Sequence, residues 1–71
     1  MKYLVVIEKS PKGYGAYVPD LPGCIAVADS KRGAKKLIRE AMALHLEAMR
    51  ENRELIPKPA SAGAYVEARV A

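Results

Sequence analysis

One short segment, residues 18–24 with the sequence VPDLPGC, restricts the fold of this chain more than any other. Pro19 and Pro22 each fix their own φ, push the preceding residue towards extended geometry and have no N–H to donate to a strand. Gly23 adopts a positive φ without steric cost. The segment is therefore predicted to be a stiff loop that bends the chain between two short apolar segments.

The predicted tip of this loop carries a carboxylate and a leucine, Asp20 and Leu21. A stiff loop has its shape before any partner arrives, so it is suited to be a recognition element. It is equally suited to be only a rigid corner between two strands, and these residues taken alone favour the corner.

Four short apolar segments have a period of two and are predicted to be β-strands. The first has apolar side chains on both faces, which indicates a central strand covered by the helix on one side and by a partner on the other. The last alternates apolar with polar side chains, as is typical of an edge strand with one solvated face. The four predicted strands are residues 2–8, 14–18, 24–28 and 64–70.

One amphipathic segment between the third and fourth strands is predicted to be a helix, with Ser30 as its N-cap and its end near Arg53. The order β-β-β-α-β predicts an α+β fold in a single domain of residues 1–71. The expected sheet is small and mostly antiparallel, in the order 3-2-1-4, with the long helix on one face and a right-handed crossover. The stripe predicted to face the sheet is Ala34, Leu37, Ile38, Ala41, Leu44, His45 and Ala48, with Met42, Leu46 and Met49 as an adjacent row.

The chain has 71 residues, which bury only a small core, so we expect self-association to a dimer or higher oligomer to add stability. Its one cysteine permits no internal disulfide. No apolar run reaches membrane-spanning length and no signal peptide is visible, so we expect a cytoplasmic protein that does not contact the membrane.

The spacing of reactive side chains does not favour catalysis. His45 has no serine or cysteine at helical spacing, and Cys24 has no basic neighbour in sequence. The carboxylates are scattered, and no glycine-rich loop leads into a helix as a phosphate cradle requires. We therefore predict a protein that is not an enzyme and has no catalytic, cofactor-binding or metal-binding residues.

The first half of the predicted helix is strongly basic, although the net charge of the whole chain is only +4. A cation in the first turn opposes the helix dipole at a cost of about 0.3–1 kcal/mol, and Gly33 costs about 1 kcal/mol relative to alanine. Two interpretations stay open: a solvated face, or a docking patch for an acidic protein or RNA. The basic residues are Lys31, Arg32, Lys35, Lys36 and Arg39.

Four motifs together resemble the HicB-type antitoxins: DLPGC at 20–24, the Asp29-Ser30 cap, Glu40-Ala41 in the helix, and IPKP at 56–59. The resemblance implies a partial ribonuclease-H-like sheet with one helix. It also implies a partner, a small HicA-type toxin ribonuclease whose RNA-cleaving surface the antitoxin covers. Many family members carry a C-terminal DNA-binding module that this sequence lacks, so DNA binding is not expected.

The stiff proline loop and the wide apolar surface, in a chain without a catalytic constellation, favour the loop as the partner-binding surface. The predicted contact residues are Tyr17, Asp20, Leu21, Pro22 and Gly23. Two alternatives remain: a small RNA-binding module that uses the basic start of the helix, or an orphan HicB-like domain without a toxin partner. The family usually has acidic residues where this sequence has Arg32-Gly33, so the charge at the helix start is reversed.

Overall fold

The computed structural model describes residues 1–70 and contains a three-stranded sheet packed against one long helix. The strands are antiparallel and lie side by side in the order β1-β2-β3. The predicted α+β class, the three-stranded meander and the single helix are confirmed. The elements are β1 (Val6–Ser10), β2 (Gly13–Tyr17), β3 (Ile25–Ala28) and α1 (Lys31–Glu51).

The hairpin between β1 and β2 depends on a glycine. Ser10 and Gly13 form the last pair of the ladder, and the Ser10 hydroxyl donates a hydrogen bond to the Gly13 carbonyl over 3.2 Å. Gly13 has a φ of 149°, and a Cβ atom there would collide with the backbone carbonyl oxygen of Ala28. The turn therefore tolerates no side chain at this position, because the end of β3 lies directly against it.

The first strand starts later than predicted, at Val6 rather than at residue 2. Val6 pairs with Tyr17, which is the last residue of β2. Beyond Tyr17 the chain turns into the proline loop, so residues 2–5 have no neighbouring β2 backbone with which to continue the ladder.

The helix begins and ends with well-formed caps. Ser30 has extended backbone angles, and its hydroxyl accepts a hydrogen bond from the Gly33 N–H over 2.9 Å, as the sequence predicted. At the other end Arg53 adopts a left-handed φ of 57°, and the Glu54 N–H donates to the Met49 carbonyl over 2.9 Å. This arrangement is a Schellman motif, and it turns the chain back along the helix.

The rotation of the helix on the sheet differs from the prediction at three residues of the predicted stripe. Ala34 and Ile38 are fully buried, and Met42 packs against the core one turn further on. The helix therefore faces the sheet with a row of residues spaced four apart, Ala34, Ile38 and Met42. Leu37, Leu44 and Ala48 lie off this row and are exposed, so their predicted place against the sheet is wrong.

The predicted fourth strand is not formed by residues 64–70, so the predicted sheet order 3-2-1-4 is wrong for this chain. These residues have no ladder partner, and every one of them is exposed. The chain before them is held against the proline loop and against Leu4, to which Gly63 lies close. In the described part of the chain, β1 therefore has a free outer edge.

The core lies between the helix and the inner face of the sheet. Two of its side chains, Ala34 on the helix and Ala16 on β2, are small. They therefore let the helix approach the strands closely. The buried residues are Ala16, Val18, Leu21, Cys24, Ala34 and Ile38.

Candidate functional site

The proline loop is closed by its own backbone hydrogen bonds. The N–H of Leu21 donates to the Val18 carbonyl over 3.0 Å, and the N–H of Cys24 donates to the Leu21 carbonyl over 3.1 Å. Val18 donates in turn to the Cys24 carbonyl over 3.3 Å. Gly23 has the positive φ that the sequence predicted, 86°. The loop is thus a tight, internally bonded corner.

Leu21 does not lie at an exposed tip. Its side chain is 0 % exposed and packs in the core, so the prediction that the loop displays this leucine is wrong. The two prolines predict a stiff loop, but they do not predict which of its side chains points into the core. That depends on how the loop packs in the folded chain. Leu21 fastens the loop to the core, and Pro22 and Gly23 beside it remain exposed.

Asp20 fastens a distant segment of the chain to the loop. Its Oδ2 atom accepts hydrogen bonds from the N–H groups of Ala60 and Ser61, both over 2.9 Å. Its Oδ1 atom accepts one from the Ser61 hydroxyl over 2.8 Å. The Tyr3 hydroxyl donates to the Pro57 carbonyl nearby. The segment that follows the helix is therefore held across the loop.

This arrangement makes the attachment of Ala60 and Ser61 depend on pH. The backbone N–H of Ser61, then that of Ala60 and the Ser61 hydroxyl, hold the pKa of Asp20 below its ordinary value of 3.8. A carboxylate with a lowered folded-state pKa adds stability above its unfolded pKa, and the contribution is lost as the pH falls through the folded value. We expect the Ala60 and Ser61 amide resonances to titrate together, with a midpoint below 3.8, in an NMR pH series.

Asp20→Asn provides the control for that titration, because the amide cannot ionise. In this variant the two amide resonances should show no acid transition, and their hydrogen exchange should be faster at neutral pH. A shared midpoint above 3.8 in the wild-type protein would contradict the hydrogen-bonded geometry.

The outer face of the sheet carries a row of apolar side chains, of which Tyr17 and Ile25 are exposed and Val6 is half-buried. Val6 pairs with Tyr17, and Tyr17 pairs with Ile25, so these three side chains cross the sheet side by side. Val27 lies two residues beyond Ile25 on the same face and is also exposed. Pro22 and Gly23 are exposed on the loop between β2 and β3.

The sequence indicated part of this surface. The apolar residues on both faces of the first strand predicted a covering partner, and Tyr17 was among the predicted contact residues. Ile25 and Val27 were missed as site residues, although their spacing of two places them on one face of β3. Of the five predicted contact residues, Tyr17, Pro22 and Gly23 are exposed, whereas Leu21 is buried and Asp20 is occupied by Ala60 and Ser61.

The basic residues at the helix start are exposed, and four of them line one groove. The groove runs between the helix and β1 and has a volume of about 820 Å³. Its apolar lining comes from Tyr3, Val5, Ile7, Ile38 and Met42, and its basic lining from Lys31, Arg32, Lys35 and Arg39. Lys36, the fifth basic residue of the predicted patch, is exposed outside this lining.

Gly33 has a structural reason for its place in the first turn of the helix. A Cβ atom there would lie 3.0 Å from the Ser30 hydroxyl oxygen and 3.3 Å from the Ala28 Cβ. The residue therefore permits the helix start to approach β3 closely while Ser30 caps it. Close packing of the helix start therefore accounts for Gly33, and its presence is not evidence that the basic patch is a docking site.

Within residues 1–70, no group of three or more histidine, cysteine, aspartate or glutamate side chains is placed to hold a metal ion. Burial raises the pKa of the Cys24 thiol, which disfavours the thiolate. The same residues include no helix long and apolar enough to cross a membrane.

The fold and the exposed face together define a class of protein: a small α+β module with an exposed apolar sheet face and a stiff loop beside it. Comparison with known proteins then gives the family. The model of the HicB-like antitoxins of bacterial toxin–antitoxin systems matches residues 3–69. The chain belongs to this family, as the sequence motifs indicated.

Individual relatives come from phages and archaea. The chain is 41 % identical over 58 residues to an uncharacterised 14.9 kDa protein of Haemophilus phage HP1, covering 82 % of this chain and 44 % of that protein. It is 39 % identical over 59 residues to a UPF0150 protein of Thermoplasma acidophilum, covering 82 % of this chain and 86 % of the relative. The chain thus spans less than half of the phage protein and most of the archaeal one.

A solved structure shares the fold. A chain from a HicA3 and HicB3 toxin–antitoxin complex superposes with a TM-score of 0.72 at 30 % sequence identity. The match covers 84 % of this chain and 70 % of that chain.

Proposed function

We propose that this protein is an antitoxin that binds a small HicA-type ribonuclease and covers its RNA-cleaving surface. The observation that carries the proposal is the shared fold with a chain of the HicA3 and HicB3 complex, in a chain that belongs to the HicB-like family. In this role the protein acts by contact and needs no catalytic group of its own. Its site of action is the cytoplasm, where a ribonuclease meets its RNA.

The contact surface in this proposal is the outer face of the sheet together with the exposed part of the proline loop. Exposed apolar side chains that lie side by side are typical of protein interfaces, and aromatic residues such as Tyr17 are enriched in them. Leu21 and Asp20 hold the loop in place, and Tyr17, Pro22 and Gly23 are the predicted contact residues that remain accessible. Residues 1–71 serve as one HicB-like binding domain, and the sheet and helix correspond to a partial ribonuclease-H-like core.

The proposal predicts that a charge on the outer face disrupts the complex. Ile25→Lys places an ammonium group where the toxin should exclude water, so the Kd for a HicA-type ribonuclease should rise at least about tenfold. Isothermal titration calorimetry of the purified pair provides the measurement.

The chain offers a matched control on another surface. Leu44 is 69 % exposed on the helix and Ile25 is 66 % exposed on the sheet, so lysine perturbs the two positions to a similar degree in the free protein. Leu44→Lys should leave the Kd within about twofold. Equal weakening by both variants, or by Leu44→Lys alone, would contradict the assignment to the outer face.

The second candidate, binding of RNA, is favoured by one observation, the four basic side chains that line the same groove. Affinity for RNA through phosphate contacts falls steeply with salt. Binding to a structured RNA that weakens several orders of magnitude between 50 and about 200 mM salt, and is lost in Lys35→Glu with Arg39→Glu, supports this candidate. An RNA affinity that does not respond to salt rules it out.

A further inference from the structure

One glycine of the sheet is not required by the packing of the described chain. Gly15 lies in the middle of β2 without a positive φ, and a Cβ atom there would meet only the Ala26 carbonyl oxygen, at 4.0 Å. Alanine would therefore fit, and it would stabilise the interior of a strand relative to glycine. A glycine inside a strand often marks a place where another molecule approaches the backbone closely.

Gly15 leaves a gap in the outer face of the sheet. Its neighbour Ala16 is buried in the core, so alternation turns Gly15 outward, with Tyr17 two residues further along the same face. The register places Glu8 of β1 and Val27 of β3 directly beside Gly15. All three surrounding side chains are exposed. The gap, called the notch below, therefore has Gly15 as its floor, Glu8 and Val27 on its two sides and Tyr17 at one end.

The notch combines apolar and aromatic surface with a single charge. Among the outward-facing positions of β1, β2 and β3, only Glu8 is charged, because alternation turns Lys9 to the opposite face. In the proposed complex this carboxylate is covered together with the apolar side chains around it. A carboxylate that loses its water needs a cation or hydrogen-bond donors from the partner.

We propose that the notch receives an arginine side chain of the toxin, an inference that rests on the proposed function. Arginine has an apolar stem and a planar guanidinium group, which stacks on aromatic rings and donates two parallel hydrogen bonds to a carboxylate. Its stem lies over Gly15 against Val27, and its guanidinium group meets Glu8 beside the ring of Tyr17. The strands on either side of β2 lie roughly 10 Å apart, which leaves room for one extended side chain.

The same contact gives the notch a part in inhibition. A ribonuclease holds the RNA backbone with lysine and arginine side chains, because phosphate contacts supply much of the affinity for nucleic acids. An arginine of that surface that is bound in the notch is no longer available to a phosphate group. The notch thus selects a partner with a cation at this position and withdraws the cation from RNA binding.

Isothermal titration calorimetry with a HicA-type ribonuclease tests the notch. Gly15→Ala places a methyl group on its floor and should raise the Kd about tenfold, although the variant unfolds at the same or a higher temperature than the wild type. Glu8→Gln removes the charge at nearly constant size and should raise the Kd by about fivefold or more, with a smaller effect at high salt. Glu47→Gln, the same change at an exposed position of the helix, should leave the Kd within about twofold.

The double variant shows whether one side chain makes both contacts. When the methyl group of Gly15→Ala keeps the arginine out of the notch, adding Glu8→Gln should raise the Kd by no more than about a further twofold. Effects that multiply in full would mean that two separate groups contact Gly15 and Glu8, and they would overturn the proposal. A Gly15→Ala protein that binds as tightly as the wild type, or that is less stable, would overturn it too.

Labelling of the ribonuclease identifies the occupant. In the complex with the wild-type chain, one arginine Nε–H resonance of the ¹⁵N-labelled ribonuclease should become protected from exchange with water, and Glu8→Gln should remove that protection. A complex in which no arginine Nε–H is protected would overturn the assignment to arginine.

Ile25→Lys separates a failure of the notch from a failure of the proposed function. If the wild-type chain binds the ribonuclease and loses affinity in Ile25→Lys but not in Gly15→Ala, the notch is overturned and toxin binding by the outer face stands. If the wild-type chain does not bind the ribonuclease, both proposals are overturned.

Discussion

Leu21→Ala is expected to destabilise the protein by about 2–5 kcal/mol, because it leaves a cavity at a fully buried position. A chain of this length has a total stability of only about 4–10 kcal/mol, so the loss is a large fraction of the total. The variant should show a much lower midpoint in urea denaturation at a fixed protein concentration. Its remaining folded fraction should still bind the partner, since the leucine contributes no surface.

Leu55→Ala is the matched control, since the same side chain is 94 % exposed at that position. Its free energy of unfolding should change by no more than about 0.5 kcal/mol. If the two variants were equally stable and only Leu21→Ala lost partner binding, Leu21 would be a contact residue and the packed loop described above would be incorrect.

Gly13→Ala should also destabilise strongly, by about 2–4 kcal/mol, for a different reason. The positive φ strains any residue with a Cβ atom, and that atom would collide with the carbonyl oxygen of Ala28. The backbone of β3 must shift for the variant to fold, which disturbs the pairing of β2 with β3. Thermal unfolding followed by circular dichroism measures the effect.

Gly15, in the same strand, provides the control. It shows whether alanine destabilises β2 in general or only where its Cβ atom collides with β3. A Cβ atom at Gly15 would find only the Ala26 carbonyl oxygen at 4.0 Å, an ordinary contact. Gly15→Ala should therefore be neutral or stabilising by up to about 1 kcal/mol, since glycine weakens a strand interior. A Gly13→Ala protein as stable as Gly15→Ala would show that β3 does not lie against the turn.

Local rules predicted the parts of the fold that depend on neighbouring residues. The prolines and Gly23 predicted the stiff loop, and Ser30 predicted the helix start. The spacing of apolar residues predicted a helix and four strands, of which three are formed. These features depend on backbone conformation and on hydrogen bonds within a few residues, which sequence patterns report directly.

The errors concern contacts between distant parts of the chain. The alternation of residues 64–70 shows that this segment suits a sheet, but alternation does not specify which edge it joins. Asp20 is linked to Ala60 and Ser61 across 40 and 41 residues of sequence, and no local pattern reveals that bond. Leu37 and Leu44 are exposed because the helix packs through its row of residues four apart, and the wide apolar arc did not determine that rotation.

We propose above all that this protein acts by covering the active surface of a small ribonuclease. The most direct measurement is RNA cleavage by a HicA-type ribonuclease, with increasing amounts of this purified protein. Cleavage should fall in proportion to the added protein and stop at a stoichiometric ratio. Cleavage that continues unchanged in a large excess of folded wild-type protein would contradict it.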